Sequence, residues 1–186
     1  MEYLLSMKPK FIPSLVFISF LFGCTSPNTH NGIKEVNADD LVENIDAYID
    51  SRLVTEGTIV HICSVDGKKM KLRTDNGAII KIVPFDLAEK FDSLLYKKRV
   101  IIHGVVKESR ISDAMIAEKE QAKVLLCHID NSSCKDSAWV NRQVQNGRSD
   151  SLSMVSTDQL KETMERAGKD YVSVVFIVAE RVDIIK

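Results

Sequence analysis

The sequence lacks a membrane-spanning apolar run and a strong net charge, two features that mark large functional classes. The longest apolar run, Phe11 to Phe22, has about a dozen residues, whereas a membrane-spanning helix needs about 20. The 25 basic and 26 acidic residues nearly cancel, so the whole chain has no net attraction to nucleic acid or to anionic lipid. We therefore expect an ordinary globular domain, with binding or chemistry confined to local sites.

Catalytic and nucleotide-binding motifs are missing as well. The sequence has no phosphate-cradling glycine loop, no His-Glu-x-x-His pattern and no recognisable nucleophile with its base and acid. Turns or bulges account for Gly57, Gly67, Gly77 and Gly104. We expect a non-catalytic protein without a cofactor.

The N-terminus has the layout of a bacterial export signal. Lys8 and Lys10 precede the apolar run, which ends in Leu21-Phe22-Gly23-Cys24, and a polar segment follows. This ending resembles the lipobox of bacterial lipoproteins, in which the cysteine is diacylated and becomes the first residue after cleavage. Residues 1–23 are therefore predicted to be the signal peptide, with Met1 or Met7 as the start. A cleaved signal with an incidental cysteine and an uncleaved anchor are the alternatives.

Lipidation of Cys24 would attach the protein stably to a membrane, because each buried methylene of the acyl chains contributes about 0.8 kcal/mol. Under an aspartate-based sorting rule, Thr25 directs the protein to the periplasmic side of the outer membrane, in preference to the inner membrane or the cell surface. Residues 24–36 are predicted to be a flexible tether, and residues 37–186 a single domain.

Alternation of apolar and polar side chains predicts five strands. They are residues 52–63, 68–74, 78–83, 99–107 and 171–185. The turn signals Asp66-Gly67 and Asp75-Asn76-Gly77 separate the first three strands, which indicates a meander. Gly57 predicts a bulge or bend inside the first strand.

Helical spacing of apolar residues predicts four helices, at residues 39–50, 86–95, 112–128 and 156–167. Asn37 or Asp39 is the N-cap candidate of the first, and Ser112 or Asp113 that of the third. A capping-box pattern begins the fourth at Ser156, and Gly168 ends it. The polar residues 131–150 are predicted to be a loop.

Three meandering strands, a helix, a fourth strand and a distant fifth are the order of the OB-fold, a five-stranded Greek-key barrel. Three segments also resemble uncharacterised OB-fold lipoproteins of anaerobic gut bacteria. They are Glu56-Gly57-Thr58-Ile59-Val60-His61-Ile62-Cys63, Gly67-Lys68-Lys69-Met70 and Lys98-Arg99-Val100-Ile101-Ile102-His103-Gly104-Val105-Val106. The resemblance covers residues 50–186. It implies a mainly β barrel with helices inserted before the last strand, at about residues 111–168, and no defined activity.

The sequence departs from the periplasmic haem chaperones that share this fold, which use a histidine followed four residues later by a tyrosine. The residues four after His30, His61, His103 and His128 are Lys34, Val65, Lys107 and Ser132. A haem-carrier role is therefore not expected.

A basic stripe on the second and third strands is a candidate ligand face. It consists of Lys69, Lys71, Arg73 and Lys81, and OB-folds bind ligands on this pair of strands. No aromatic residue lies between Tyr48 and Phe85, so the stacking platforms for single-stranded nucleic acid are missing. The stripe fits an acidic partner protein or an anionic glycan better, and a solvated polar face explains it without any ligand.

The other three cysteines allow two interpretations. Cys127 and Cys134 flank a polar loop, and a disulfide between them, with Cys63 buried elsewhere, would stabilise the fold by about 2.5 kcal/mol. Alternatively, a zinc or thiol-redox site is formed by His61, Cys63, Cys127, His128 and Cys134, since thiolate and imidazole are suitable ligands. The pattern favours the disulfide.

Taken together, these features predict a lipid-anchored periplasmic OB-fold module that binds a partner protein or a saccharide of the cell envelope. A metal-binding or thiol-redox protein is the first alternative, and a nucleic-acid-binding OB-fold is the second.

Replacing Cys24 by alanine tests the anchor. We expect the C24A protein to lack lipid and to leave the membrane fraction, because the remaining apolar run is too short to hold it there. Fractionation of cells at high salt, with mass spectrometry of the N-terminus, measures this. A variant that stays in the membrane at high salt would contradict the prediction.

Overall fold

The chain folds into a closed β-barrel with added helices. The structure, a computed structural model, describes residues 33–86 and 88–186, so the predicted signal peptide and Cys24 lie outside the described residues. In the part that is described, no helix is long and apolar enough to cross a bilayer.

Six strands and four α-helices make up the described chain. The strands are β1 (Lys34–Glu35), β2 (Arg52–Ile62), β3 (Met70–Arg73), β4 (Ile79–Pro84), β5 (Arg99–Ser112) and β6 (Tyr171–Ile184). The helices are α1 (Ala38–Glu43), α2 (Asp113–Gln121), α3 (Ser137–Gln145) and α4 (Ser149–Ala167).

The strand order is that of an OB-fold Greek-key barrel. Strands β2, β3 and β4 form an antiparallel meander, and β6 lies between β4, to which it is parallel, and β5, to which it is antiparallel. Pairing of β5 with β2 closes the barrel. The predicted fold class is therefore confirmed, including the place of the final strand in the sheet and the helical insertion before it.

Two apolar clusters support this architecture. The barrel interior is filled by fully buried side chains from alternate strand positions, among them Leu53, Ile59, Leu72, Ile82, Ile102 and Ile177. Each such side chain contributes about 1.5–3 kcal/mol of burial free energy. A second cluster forms where the long ends of β5 and β6 meet α2 and α4, and it contains Ile111, Ile116, Leu160, Val172 and Val174.

The break in regular pairing of β2, the first barrel strand, lies on the C-terminal side of Gly57. The register between β2 and β3 shifts between Ile59 and His61. Gly57 serves a different purpose, because a Cβ there would lie 2.7 Å from the carbonyl oxygen of Arg73 and 2.9 Å from the Leu72 side chain. Close packing against β3, rather than a bulge, accounts for this glycine.

The helix expected between the third and fourth barrel strands is much shorter than residues 86–95. Among the described residues of this segment it is reduced to a 3₁₀ turn, Ser93–Leu95. The side chains of Asp86 and Asp92 accept hydrogen bonds from the backbone N–H groups of Ala88 and Leu94, two residues on. Such local bonds compete with the helical ladder, which is why aspartate favours turns.

Other boundaries also differ from the sequence predictions. The first helix ends at Glu43 and continues as a 3₁₀ turn, Ile45–Tyr48. Helix α2 ends at Gln121, and Lys123 has a left-handed φ of 50°. The predicted loop at 131–150 is wrong, because it contains α3 and the start of α4, which begins at Ser149 instead of Ser156.

The end of α4 agrees with the sequence prediction, and the start of the sheet does not. Gly168 ends α4 with a φ of 60°, as predicted. Lys34 and Glu35, assigned to the tether from sequence, pair in parallel with Leu53 and Val54 of β2. The sheet therefore begins before residue 37.

Gly104 is the glycine whose replacement should harm the barrel most. A Cβ at this position would lie 2.4 Å from the carbonyl oxygen of Val178 and 2.7 Å from a methyl of Ile177, and a backbone atom cannot rotate away. We expect Gly104→Ala to lower the free energy of unfolding by about 3 kcal/mol, the upper part of the usual overpacking range. Urea titration followed by circular dichroism measures this.

Gly77→Ala is the matched control. Gly77 has a φ of 90°, and an alanine methyl at this position would meet nothing within 4 Å, so only the backbone penalty of about 1 kcal/mol applies. Equal losses in the two variants would show that the close contact with β6 is unimportant.

Candidate functional site

A short hairpin from the helical insertion lies over the outer face of β3 and β4. This insertion hairpin, residues 125–134, is held by hydrogen bonds from Cys127 N–H to Ser132 C=O (2.7 Å) and from Cys134 N–H to Leu125 C=O (2.8 Å). Asn131 completes its turn in the left-handed conformation, with a φ of 59°. Ile129 at the tip is only 2% exposed, so the tip of the hairpin is packed against the rest of the protein.

An ion pair fixes the hairpin to the barrel. Lys69 Nζ lies 2.7 Å from Asp130 Oδ2 and donates to Ser132 Oγ at 2.8 Å, while Ser132 Oγ donates to Asp130 Oδ1. Burial alone would lower the pKa of Lys69, but the hydrogen bond and charge of Asp130 outweigh it and raise that pKa. Burial would raise the pKa of Asp130, but its hydrogen bonds with Lys69 and Ser132 lower it, so both partners stay charged and their hydrogen bond is charge-assisted.

The basic stripe is consequently not an open strand face. Lys69 is engaged by Asp130, Lys81 lies half-buried beneath the hairpin, and Lys71 is half-buried beside it. Arg73 alone of the four is exposed. A ligand role for these residues stays a prediction, and the covering hairpin leaves two partly open cavities in place of an open groove along the strands.

The first cavity, of about 260 Å³, lies between the β2–β3 connection and the insertion. His61 and Cys63 reach it from the barrel, and His128, Cys127 and Cys134 from the insertion hairpin. The rings of His61 and His128 meet edge to face with centroids 5.0 Å apart. The structure thus brings together all five residues of the predicted metal or redox alternative.

The predicted disulfide is not formed, and Cys63 is not buried apart from the other two cysteines. All three thiols are free and half-buried, and no pair is at disulfide distance. In the hairpin, Leu126 pairs with Ser133. This register places Cys127 opposite Ser132, which is two positions away from Cys134. Diagonal neighbours of this kind lie about 7–8 Å apart, beyond the reach of an S–S bond.

The surroundings of Cys127 do not activate its thiol. Burial raises the pKa of Cys127, whereas a reactive cysteine needs the opposite shift, towards thiolate. The Cys63 thiol hydrogen-bonds to Asp66, helping to lower the pKa of that carboxyl against the opposing effect of burial. No three His, Cys, Asp or Glu side chains of the described chain stand in ready-made metal-ligating geometry.

Sequence reasoning missed the remaining wall of this cavity, which includes Trp139, Asp136 and Asp66. Asp136 caps α3 by accepting the Trp139 N–H at 2.8 Å, and this cap directs the indole to the cavity. The pattern Asp136-Ser137-Ala138-Trp139 has an N-cap residue before an apolar position, a signal that would have revealed the helix.

A second cavity, of about 310 Å³, lies on the other side of the hairpin tip, between β4, β6 and α2. Its walls are mainly apolar and are formed by Val83, Ile111, Met115, Ile129, Val174 and Phe176. Lys81, Lys119 and Asp130 supply its charged groups. Burial lowers the pKa of Lys81, an effect that Asp130 opposes and Lys71 reinforces.

We expect the histidine pair to make the fold less stable in acid. The pKa of His61 is lowered by burial and by the charges of His128 and Lys71. The pKa of His128 is lowered by burial and by the charge of Lys71, and Asp130 opposes this shift. The unfolded chain therefore binds protons more tightly near pH 6.5, so stability should fall as pH drops below that value. We expect His128→Gln to flatten this dependence, measured by chemical denaturation between pH 7.5 and about pH 5.

His103→Gln is the control for this prediction. His103 lies on β5 beside Arg181 and Asp183, where the hairpin does not reach. An unchanged pH dependence in His128→Gln, or an equal change in His103→Gln, would contradict the role of the pair.

No protein-family model matches the chain, and no curated protein matches it either. The functional argument therefore depends on the geometry of the two cavities.

Proposed function

We propose that the protein is a non-catalytic, lipid-anchored binding module of the bacterial envelope that recognises a saccharide in the first cavity. The cavity is built from the connection between the first two barrel strands and from the insertion between the last two. OB-folds commonly bind oligosaccharides and oligonucleotides with these two connections and the adjoining strands.

The side chains of the cavity suit a sugar. The half-buried Trp139 offers a flat apolar surface against which the C–H face of a pyranose ring can pack. Asp66 and Asp136 place carboxylate oxygens on the same cavity, and carboxylates accept short hydrogen bonds from hydroxyl groups. Trp139 carries the proposal, because a half-buried indole in the wall of a small, mainly apolar cavity with a few polar groups is typical of ligand contact.

The size of the cavity favours a saccharide over a protein partner. A volume of about 260 Å³ is near the lower end of small-ligand pockets. A protein partner would need a much broader complementary surface, of roughly 800 Å² per side.

A metal-binding or thiol protein is the second candidate, supported by the five cysteine and histidine side chains around the same cavity. Rotation of these side chains about their χ angles would be required before three of them could share an ion. Nucleic acid has less support, because the insertion hairpin covers the strand face on which bases would stack.

The only tryptophan of the chain provides the test. We expect the intrinsic fluorescence of the full-length protein in lipid nanodiscs to change saturably with an envelope saccharide, tested with a panel of peptidoglycan fragments and neutral and acidic oligosaccharides. Asp136→Asn should weaken binding about tenfold, a loss typical of one charged hydrogen bond. Asparagine also caps helices, so α3 should remain intact.

Asp46→Asn is the control, since Asp46 is exposed and is not among the residues lining the cavity. Equal loss in both variants, or no response to any saccharide, would refute the proposal. Elemental analysis and thiol titration of the same samples address the second candidate. Stoichiometric zinc or copper that is lost in His61→Asn would favour it over saccharide binding.

A further inference from the structure

The second cavity contains a charge imbalance that the fold itself does not resolve. Lys81 lines this cavity half-buried and forms no hydrogen bond or ion pair with any described residue. Lys119, on the opposite wall, also lacks an ion-pair partner in the described chain. The single carboxylate of the cavity, Asp130, is held by Lys69 at 2.7 Å.

Strand register makes this imbalance larger. Lys81 is the direct cross-strand partner of Lys71, and like charges placed opposite each other in a sheet destabilise it. A half-buried charge without an ion-pair partner carries a desolvation cost that is normally offset by a counter-charge, and the carboxylate of this cavity, Asp130, is already bound to Lys69. Burial lowers the pKa of Lys81 although Asp130 opposes this shift, so the carboxylate already in the cavity does not fully compensate the ammonium group.

The apolar walls of the second cavity determine what else the ligand must contain besides an anionic group. Six apolar side chains surround the two lysines, and two of them, Ile111 and Val174, belong to the second apolar cluster. A fully hydrated anion such as phosphate would leave these walls without contact, whereas a purely apolar molecule would leave the lysines uncompensated. The complementary molecule has one anionic group and a short apolar body.

We propose that the second cavity is a binding site for a small amphipathic anion, with Lys81 and Lys119 contacting the anionic group and the apolar walls contacting its hydrocarbon part. This site is separate from the saccharide cavity and does not depend on it. The insertion hairpin contributes Ile129 and Asp130 to the second cavity and Cys127 and His128 to the first.

Hexanoate is the probe, with hexanol as its uncharged analogue and acetate as the anion without an apolar chain. We expect hexanoate to bind the full-length protein in nanodiscs at least about tenfold more tightly than either analogue, measured by titration calorimetry against empty nanodiscs. Lys81→Met keeps most of the side-chain length but removes the charge, and should weaken hexanoate binding about tenfold or more.

Lys71→Met is the matched control. It removes the same charge from the cross-strand neighbour, but Lys71 faces the histidine pair and is not part of the cavity wall. Binding should change less than about twofold. Removal of the unpaired charge should also leave Lys81→Met at least as resistant to thermal unfolding as the unaltered protein; if it fails to fold, Lys81→Gln replaces it.

Four results would overturn the proposal: no hexanoate binding, equal binding of hexanol, unchanged binding in the Lys81 variants, or equal loss in Lys71→Met. Each is independent of the saccharide experiment, because Trp139 does not line the second cavity. Failure of one proposal therefore leaves the other standing.

Discussion

The ion pair between Lys69 and Asp130 holds the insertion hairpin against the barrel. It joins the start of β3 to the tip of the insertion hairpin, with only 12% of the lysine side chain and 26% of the aspartate side chain exposed. Loss of either partner would leave a largely buried charge uncompensated. Because the hairpin separates the two cavities and lines both, the ion pair is a condition for each of them.

The insertion also changes what an OB-fold of this kind can bind. An uncovered β3–β4 face would present a basic groove suited to an extended polymer. Here the hairpin covers that groove, engages Lys69 and lies over Lys81. The barrel is the support, and the insertion forms much of the lining of both cavities.

Local pattern predicted the barrel well and the site poorly, for a physical reason. Strand alternation and the glycine at position 168 depend on neighbouring residues, so they are visible in the sequence. The hydrogen bond from Lys69 to Ser132 joins residues 63 positions apart, and no local signal reveals it. The disulfide prediction is wrong because Cys127 and Cys134 are close in sequence, whereas the hairpin register offsets them in space.

The two residues of β1 have a consequence for the geometry of the whole protein at a membrane. Their pairing with β2 fixes the chain to the barrel wall at Lys34. If Cys24 carries the proposed lipid, the short stretch of chain between Cys24 and Lys34 can extend no farther than about 35 Å. Such a short connection would confine the barrel to the layer next to the bilayer, where it samples ligands within one protein diameter of the lipid surface.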